Sequence, residues 1–374
     1  MTSIAYVREA PEPEEAAPVL SSGALAWARA NLFSSTGSTV VTICCVALAA
    51  YLLPQLIAWT TTRATWSATD GAVCREHQDG ACWAFVVAKW DYLRFGSYPL
   101  AERWRVDTAE AVGAGLIIWL LWINAPRRVW AAFLFFAVYP ILALILLRGS
   151  SWLGLPVVDT QLWGGIFVSL LTAVVGIVFS LPLGVLLALG RRSPLPAVQM
   201  ASVIFIEFVR GVPFITILFM ANNLLPLFVP ETWTPDRLLR PLAGIVIFSA
   251  AYMAEEVRGG LQSLERGQYE AAMALGLNYA RVTALVILPQ ALTFVIPGIV
   301  NNFIGLFMDT TLISVVGATD FLEAMNNAIK DPVWAGPTIM VTGYVFAGLF
   351  YFSFCFGMAR YSAHIEQVLA KGRK

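Results

Sequence analysis

Eight stretches of this chain stay apolar over roughly the length a helix needs to cross a bilayer, about 20 residues, and nothing else narrows the fold so much. They are Thr39–Ala58, Ala109–Asn124, Val129–Leu147, Trp163–Leu189, Ala201–Leu225, Pro241–Met253, Pro289–Met308 and Thr338–Met358. In hydrocarbon every backbone N–H and C=O must be satisfied within the protein, so such runs must be helices. Two runs are short. A soluble core could bury short helices, but 58% hydrophobic residues against 13% charged, with mean hydropathy +0.71, leave no polar domain to supply one. The expected fold is an all-α polytopic membrane protein of about eight transmembrane helices. Zero formal charge excludes a global field for nucleic acid, and the 13 tryptophans suit interfacial belts.

Arg and Lys in short loops set orientation. An even number of spans places both termini on one side. The segments on that side hold Arg29, Arg127, Arg128, Arg191, Arg192, Arg258, Arg266, Arg281 and Arg360, against Arg148, Arg237, Arg240 and Lys330 in the short loops opposite. Both termini are therefore expected in the cytoplasm. Residues 1–37 read as a polar tail, acidic and Pro-rich at its start, with no signal-peptide core. Residues 363–374 read as a basic tail. Between them the style changes near residue 160. Residues 38–160 hold three spans and a large outside loop, 60–106, while 161–362 hold five tightly connected spans with the polar motifs. No internal repeat is visible.

Cys74 and Cys82 fall in the outside loop, in neither C-x-x-C spacing nor the company of enough histidines for a metal site: only His77 and His364 exist. Closure of so short a loop in an oxidising compartment is easy, so the two are a candidate disulfide; two free thiols are the alternative. No metal is expected.

Within this apolar chain, "YEAAMALGLNYARVTALVILPQA" (Tyr269–Ala291) stands apart. Gly267–Leu275 is rich in good helix formers. Gly276 suits a left-handed cap, Asn278 the N-cap of a second short helix over Tyr279–Ile287, and Pro289 the first turn of the next span. Ala271, Ala272 and Ala274 keep a flat profile, and Met273, Leu275 and Leu277 add adaptable apolar contact. Such a pair of helices on the cytoplasmic face fits a docking surface for a soluble partner, or else an amphipathic linker resting on headgroups.

Polar groups near spanning helices are functional candidates. Glu207 and Arg210 are three apart and can pair on one helix face, either steadying the inner end of the fifth span or walling a cavity; Gly211 and Pro213 then break or bend the helix. Asn301 and Asn302 follow Pro297, where they can satisfy a freed carbonyl or bond a neighbouring helix, or else contact substrate. Asp309 and Thr310 lie at the outer end of the same helix and complete the candidate pathway. Glu255, Glu256 and Arg258 read as an interfacial salt-bridge cluster.

Several of these residues resemble a known family. Glu270-Ala271-Ala272, Gly276 after three intervening residues, and Val286-Ile287-Leu288-Pro289 are similar to the EAA loop of ABC-importer permeases, with Val286 a mild departure from the usual I-x-L-P. "EFVRGVPFITILF" (Glu207–Phe219), "AAYMAEEVRGGLQSLERGQYEAA" (Ala250–Ala272) and "NNFIGLFMDTTLISVVG" (Asn301–Gly317) look like the polar-amino-acid subfamily. The acidic tail, the extra spans and "CWAFVVAKWDYLRFGSYPLAERWRV" are similar to one permease subunit of general L-amino-acid transport systems. The resemblance implies a type I importer permease core over 161–362, with the EAA coupling loop at 265–289. Glu270, Ala271, Ala272, Gly276, Leu288 and Pro289 would meet the ATPase. Many members carry Lys where this chain has Met308, so no anion contact is assigned there.

The implied partners are two ABC ATPase subunits, a second permease subunit forming a heterodimer, a periplasmic amino-acid-binding protein, and L-amino acid as substrate. The chain lacks G-x-x-x-x-G-K-[ST], so ATP-Mg would be used by its partners; this chain would bind no cofactor and hold no catalytic residue. An ion-gradient-driven secondary transporter is the alternative, but it commonly shows repeats with paired broken helices, and it gives a docking loop no purpose. A membrane-embedded enzyme lacks support: there is no H-E-x-x-H and no second aspartate beside Asp309.

Overall fold

The computed structural model describes residues 23–122, 125–230 and 236–371. The acidic start of the expected polar tail, Asn124 at the end of the second expected span, and the last three residues lie outside it.

By packing, the chain forms two units. The first runs to Ala64 and includes Asp79–Ala81; the second holds Thr65–Gln78 and everything from Cys82 on. In the first, α1 (Ala24–Asn31) precedes α2 (Thr36–Ile57), whose N-cap Ser35 accepts a hydrogen bond from the Ser38 amide. α2 continues into a π-helical turn to Thr62 and is apolar all round with no buried residue, as a lipid-facing helix requires.

The second unit begins with α3 (Ala72–Glu76) and α4 (Trp83–Phe95). Then come α5 (Arg103–Leu121), α6 (Arg128–Arg148), α7 (Ile166–Arg191), α8 (Pro196–Gly211), α9 (Phe214–Phe228) and α10 (Leu239–Gln262). α11 (Arg266–Ala274), α12 (Tyr279–Phe294), α13 (Ile296–Asp309), α14 (Phe321–Ile329) and α15 (Pro337–Lys371) complete it. A small sheet pairs β1 (Gly164–Gly165) with β2 (Thr319–Asp320) in parallel.

Among the described residues, five helical segments are long and apolar enough to cross a membrane, six if the bent pair α8–α9 counts as one. α5 and α10 stand where the second and sixth spans are expected. Each carries several charges, including the Glu255–Arg258 stretch of α10, so composition alone does not mark them.

The break or bend expected at Gly211 and Pro213 is present, α8 and α9 meeting at 108° across Val212 and Pro213, and two other expected boundaries need correction. A proline disfavours helical geometry in the residue before it, which explains the break, while hydropathy runs on unbroken. Pro289 does not open the seventh span. It lies inside α12, and the break comes at Val295, after which α13 starts. The last helix runs well beyond Met358, to Lys371.

Prolines also leave a mark inside the helices. The π-helical turns Leu134–Val138, Met220–Leu224 and Val282–Ile287 each end two residues before a proline: Pro140, Pro226 and Pro289. The pyrrolidine ring clashes with the carbonyl four residues back. Widening the preceding turn relieves that clash without breaking the helix.

α7 and α10 pack along much of their length through small residues. A methyl on Gly184 would stand 2.6 Å from Met253 Cβ, and one on Gly176 3.1 Å from Ile245 Cγ2, the close approach expected of helices in lipid. The segment before α7 is built into the same core. Tyr98 and Trp163 pack on Phe167, Tyr98 Oη donates to the Leu147 carbonyl, and the fully buried Arg105 pairs with Glu102 and donates to the Pro156 carbonyl. Residue 160 is thus no break in packing.

α3, α4 and α14 form one end of this unit. Cys74 and Cys82 are joined by a disulfide, and both are buried among Phe85, Phe321 and Trp334. The Cys82 amide donates to Thr342 Oγ1, Arg75 Nη1 to the Val333 and Ala335 carbonyls, and Lys89 pairs with Asp331.

Candidate functional site

At the opposite end of α7 from β1, the chain leaves α10 and turns into α11 and α12. α11 ends at Ala274, and the Gly276 amide donates to the Met273 carbonyl at 2.9 Å. Gly276 has φ +78°, where an L side chain is strained, yet nothing lies within 4 Å of a methyl placed there. The position therefore demands glycine for its backbone, not for lack of room within this chain. Asn278 then accepts the Arg281 amide through Oδ1 and caps α12.

One face of this segment is packed and the other is bare. Ala272, Val282, Ile287 and Ala291 are buried. Glu270, Ala271, Gly276 and Pro289 are exposed, and Leu288 is half-buried. Met273, Leu275, Tyr279 and Leu285 also face outward; Leu275 is 82% exposed. An apolar surface alternating with small residues, on a polar turn, suits a protein partner.

The segment is fastened tightly to the bundle. A methyl on Gly260 would stand 2.4 Å from the Ala291 carbonyl oxygen, so α10 and α12 touch backbone to backbone. Arg192, just after α7, donates through Nη1 to the Leu261 carbonyl (3.1 Å) and to Tyr269 Oη (3.0 Å), with its guanidinium 5.6 Å from the centre of the Tyr269 ring. Gln290 reaches Gln268 Oε1. A cavity of about 250 Å³ lies among Arg192, Tyr269, Tyr279 and Thr283.

Next to it is an ion cluster centred on Glu255. Its carboxylate accepts from Arg191 Nη1 (2.7 Å) and from Arg258 Nε (2.9 Å) and Nη2 (2.7 Å), and Arg210 Nη1 stands 3.8 Å away. Arg191 also pairs with Glu207 at 2.9 Å. The expected Glu207–Arg210 pairing is therefore corrected: each finds a partner on a neighbouring helix, Glu207 on α7 and Arg210 on α10. Spacing within one helix shows which residues share a face, but stronger tertiary partners decide the pairs. Glu255 belongs to the cluster with Arg258, whereas Glu256 approaches Gly298, where a methyl would lie 2.0 Å from Oε2.

The candidate pathway residues on α13 sit apart from this cluster. Asn301 is exposed, and Asn302 and Asp309 are partly buried. Thr310 is buried and spends its hydroxyl on the Phe307 carbonyl. Asp309 makes no ion pair among the described residues. No group of His, Cys, Asp and Glu among them could hold a metal ion.

No local pattern marks Arg192 and Tyr269 as fasteners of this segment. Arg191 and Arg192 registered only as inside charges. Their position next to the end of α7, opposite the Glu255–Leu261 stretch, was the usable signal.

Comparisons with known proteins show the family. The family model for the "binding-protein-dependent transport system inner membrane component" matches residues 180–370. The chain is similar to the "inner membrane amino-acid ABC transporter permease protein YhdY" of Escherichia coli, at 45% identity over 94% of this chain and 95% of the other. It is also similar to the "glutamate/glutamine/aspartate/asparagine transport system permease protein BztC" of Rhodobacter capsulatus, at 38% identity and full coverage of both. A solved structure described as "an amino acid ABC transporter with histidines" matches 54% of this chain and 91% of its own, at 25% identity and a TM-score of 0.48.

Proposed function

Because the chain belongs to the binding-protein-dependent transport system inner membrane components, we propose that it is the permease subunit of an ATP-driven importer that carries L-amino acids into the cytoplasm. It sits in the inner membrane with both termini on the cytoplasmic side. The observation that carries this reading is the α11–α12 segment. It is bare and apolar outside, capped by a positive-φ glycine, and backed by direct backbone contact with α10.

In this reading two ABC ATPase subunits grip Glu270, Ala271, Gly276, Leu288 and Pro289 on this permease and the equivalent surface of a second one; Ala272, expected among these contacts, is buried against the bundle instead. ATP-Mg closes the ATPase pair and draws the two segments together. The contact at Gly260 passes that displacement to α10, and α10 passes it to α7 through Gly176, Gly184 and their neighbours. The bundle rocks, and the pathway opens toward the periplasm, where a binding protein releases its amino acid. Hydrolysis reverses the motion. Asn301, Asn302, Asp309 and Thr310 on α13 are the pathway candidates, and the Glu255 cluster holds the inner ends of α7, α8 and α10 in register.

Reconstitution tests this. The chain, purified with its second permease and ATPase subunits in proteoliposomes, should take up labelled L-amino acids only with internal ATP and external binding protein. Uptake driven by an ion gradient without ATP would overturn the assignment.

A further inference from the structure

At the other end of α7, a cavity of about 150 Å³ opens beside β2, lined by Thr160, Gln161, Trp163, Arg237, Gly317 and Thr319 among others. Two of these groups have unspent hydrogen-bonding capacity. Trp163 is 3% exposed, and its Nε1–H is buried without an acceptor; a buried donor left unpaired is costly and calls for an explanation. Arg237 makes no ion pair among the described residues. The neighbouring acid, Asp236, is already engaged: its Oδ1 accepts from Thr160 Oγ1 at 2.6 Å and from the Leu238 amide at 2.9 Å.

The guanidinium is also placed by the fold. Gly317 has φ +85°, and a methyl there would stand 2.6 Å from Arg237 Nη2. Glycine adopts that backbone without strain, and the arginine head lies against it. The cavity therefore gathers a forked cation, an indole donor and the Gln161 amide, with Asp236 turned to other partners.

We propose that this cavity binds a carboxylate: that of a free amino acid on its way into the transporter. This rests on the importer reading above, which puts this end of α7 on the periplasmic side. A planar guanidinium matches a carboxylate through two parallel hydrogen bonds, and Trp163 Nε1 supplies a third donor that cannot accept. One arginine carries a single positive charge and matches a monoanion, and the aspartate nearby disfavours a dianion such as phosphate. The volume admits a carboxylate with a few attached atoms. The site is distinct from the α13 candidates and would capture substrate at the mouth.

The test uses the whole transporter complex in nanodiscs, free of nucleotide and binding protein, with labelled L-glutamine as probe and L-glutaminamide, which lacks the carboxylate, as competitor. Saturable binding of L-glutamine, uncompeted by L-glutaminamide, is expected. Arg237→Ala should weaken it at least about tenfold, the loss of one charge-assisted pair, and Trp163→Phe by about threefold, one neutral hydrogen bond. Arg237→Lys should fall between wild type and Arg237→Ala. Each variant must assemble with the ATPase and melt like wild type, and Trp163→Phe preserves the packing should Arg237→Ala fail to assemble. No saturable binding to wild type, or unchanged affinity in Arg237→Ala and Trp163→Phe, overturns the site. So does a loss confined to the response to binding protein, which would make Arg237 a contact for an acidic side chain of that protein. ATP-driven uptake by the wild-type complex tests the importer reading separately.

Discussion

Glu255→Gln puts the inner-face cluster to a quantitative test. The carboxylate accepts three short charge-assisted hydrogen bonds, from Arg191 and twice from Arg258, with Arg210 close behind. Glutamine keeps the shape but offers one oxygen; with that oxygen at the Oε2 position it keeps both Arg258 donors and turns its NH₂ toward Arg191, so one of the three bonds is lost and the other two lose their charge assistance. A hydrogen bond to a charged group contributes about 1.5–3 kcal/mol. Here the Glu255 side chain is 15% exposed and Arg191 25%, so water softens each loss substantially. The expected destabilisation is about 2 kcal/mol. Chemical unfolding of the purified complex measures it, and a double-mutant cycle with Arg191→Gln should give a coupling of about 1 kcal/mol. Because three helix ends meet at Glu255, the variant should also hydrolyse ATP with weaker dependence on binding protein. A change under about 0.5 kcal/mol with no coupling to Arg191 would show that the cluster is surface decoration.

Other expectations follow from the opposite end and the pathway. Asp320 is buried, and burial pushes its carboxyl up to about 6 although the Leu322 and Glu323 amides and Tyr351 pull it down. The folded state then holds its proton where the unfolded state, near 3.8, has lost it, so stability falls as pH rises from about 4 to 6, by about 3 kcal/mol in all. Asp320→Asn keeps the helix cap and should flatten that slope; an unchanged slope in melting scans would refute the assignment. Cys74 and Cys82 should resist thiol labelling without reductant, and replacing both with Ser should cost about 2.5 kcal/mol for a loop of about nine residues; full labelling of both would count against it. Asn302→Ala and Asp309→Ala should weaken uptake while leaving ATPase assembly intact, and normal uptake in both would reduce them to packing residues.

Much of the fold was legible because lipid allows so few solutions. The order of the helices follows from apolar runs, and the α11–α12 turn from Gly276 and Asn278, whose backbone requirements are local. The geometry at Pro213 and Pro289 was less so. Both residues were visible, but whether a proline breaks a helix, as before α9, or only widens a turn, as in α12, depends on packing around it. The pairing of Glu207 with Arg191 and of Arg210 with Glu255 was hidden for a related reason, since three separate helices must first be brought together. The cavity at Trp163 and Arg237 joins segments about 75 and 80 residues apart, and no local spacing announces it.

The central claim is that the α11–α12 segment couples this permease to an ATPase, and Gly276→Arg tests it most directly. At φ +78° a side chain costs of order 1 kcal/mol, and the open space around Gly276 means the variant should still insert and pack. The measurement is ATP hydrolysis stimulated by binding protein in proteoliposomes, alongside uptake. The complex is expected at normal levels in the membrane with stimulation and uptake abolished, and Glu270→Ala, at an exposed peripheral position, should do much less. Normal stimulation and uptake in Gly276→Arg would make the segment a linker and contradict the proposed function at its root.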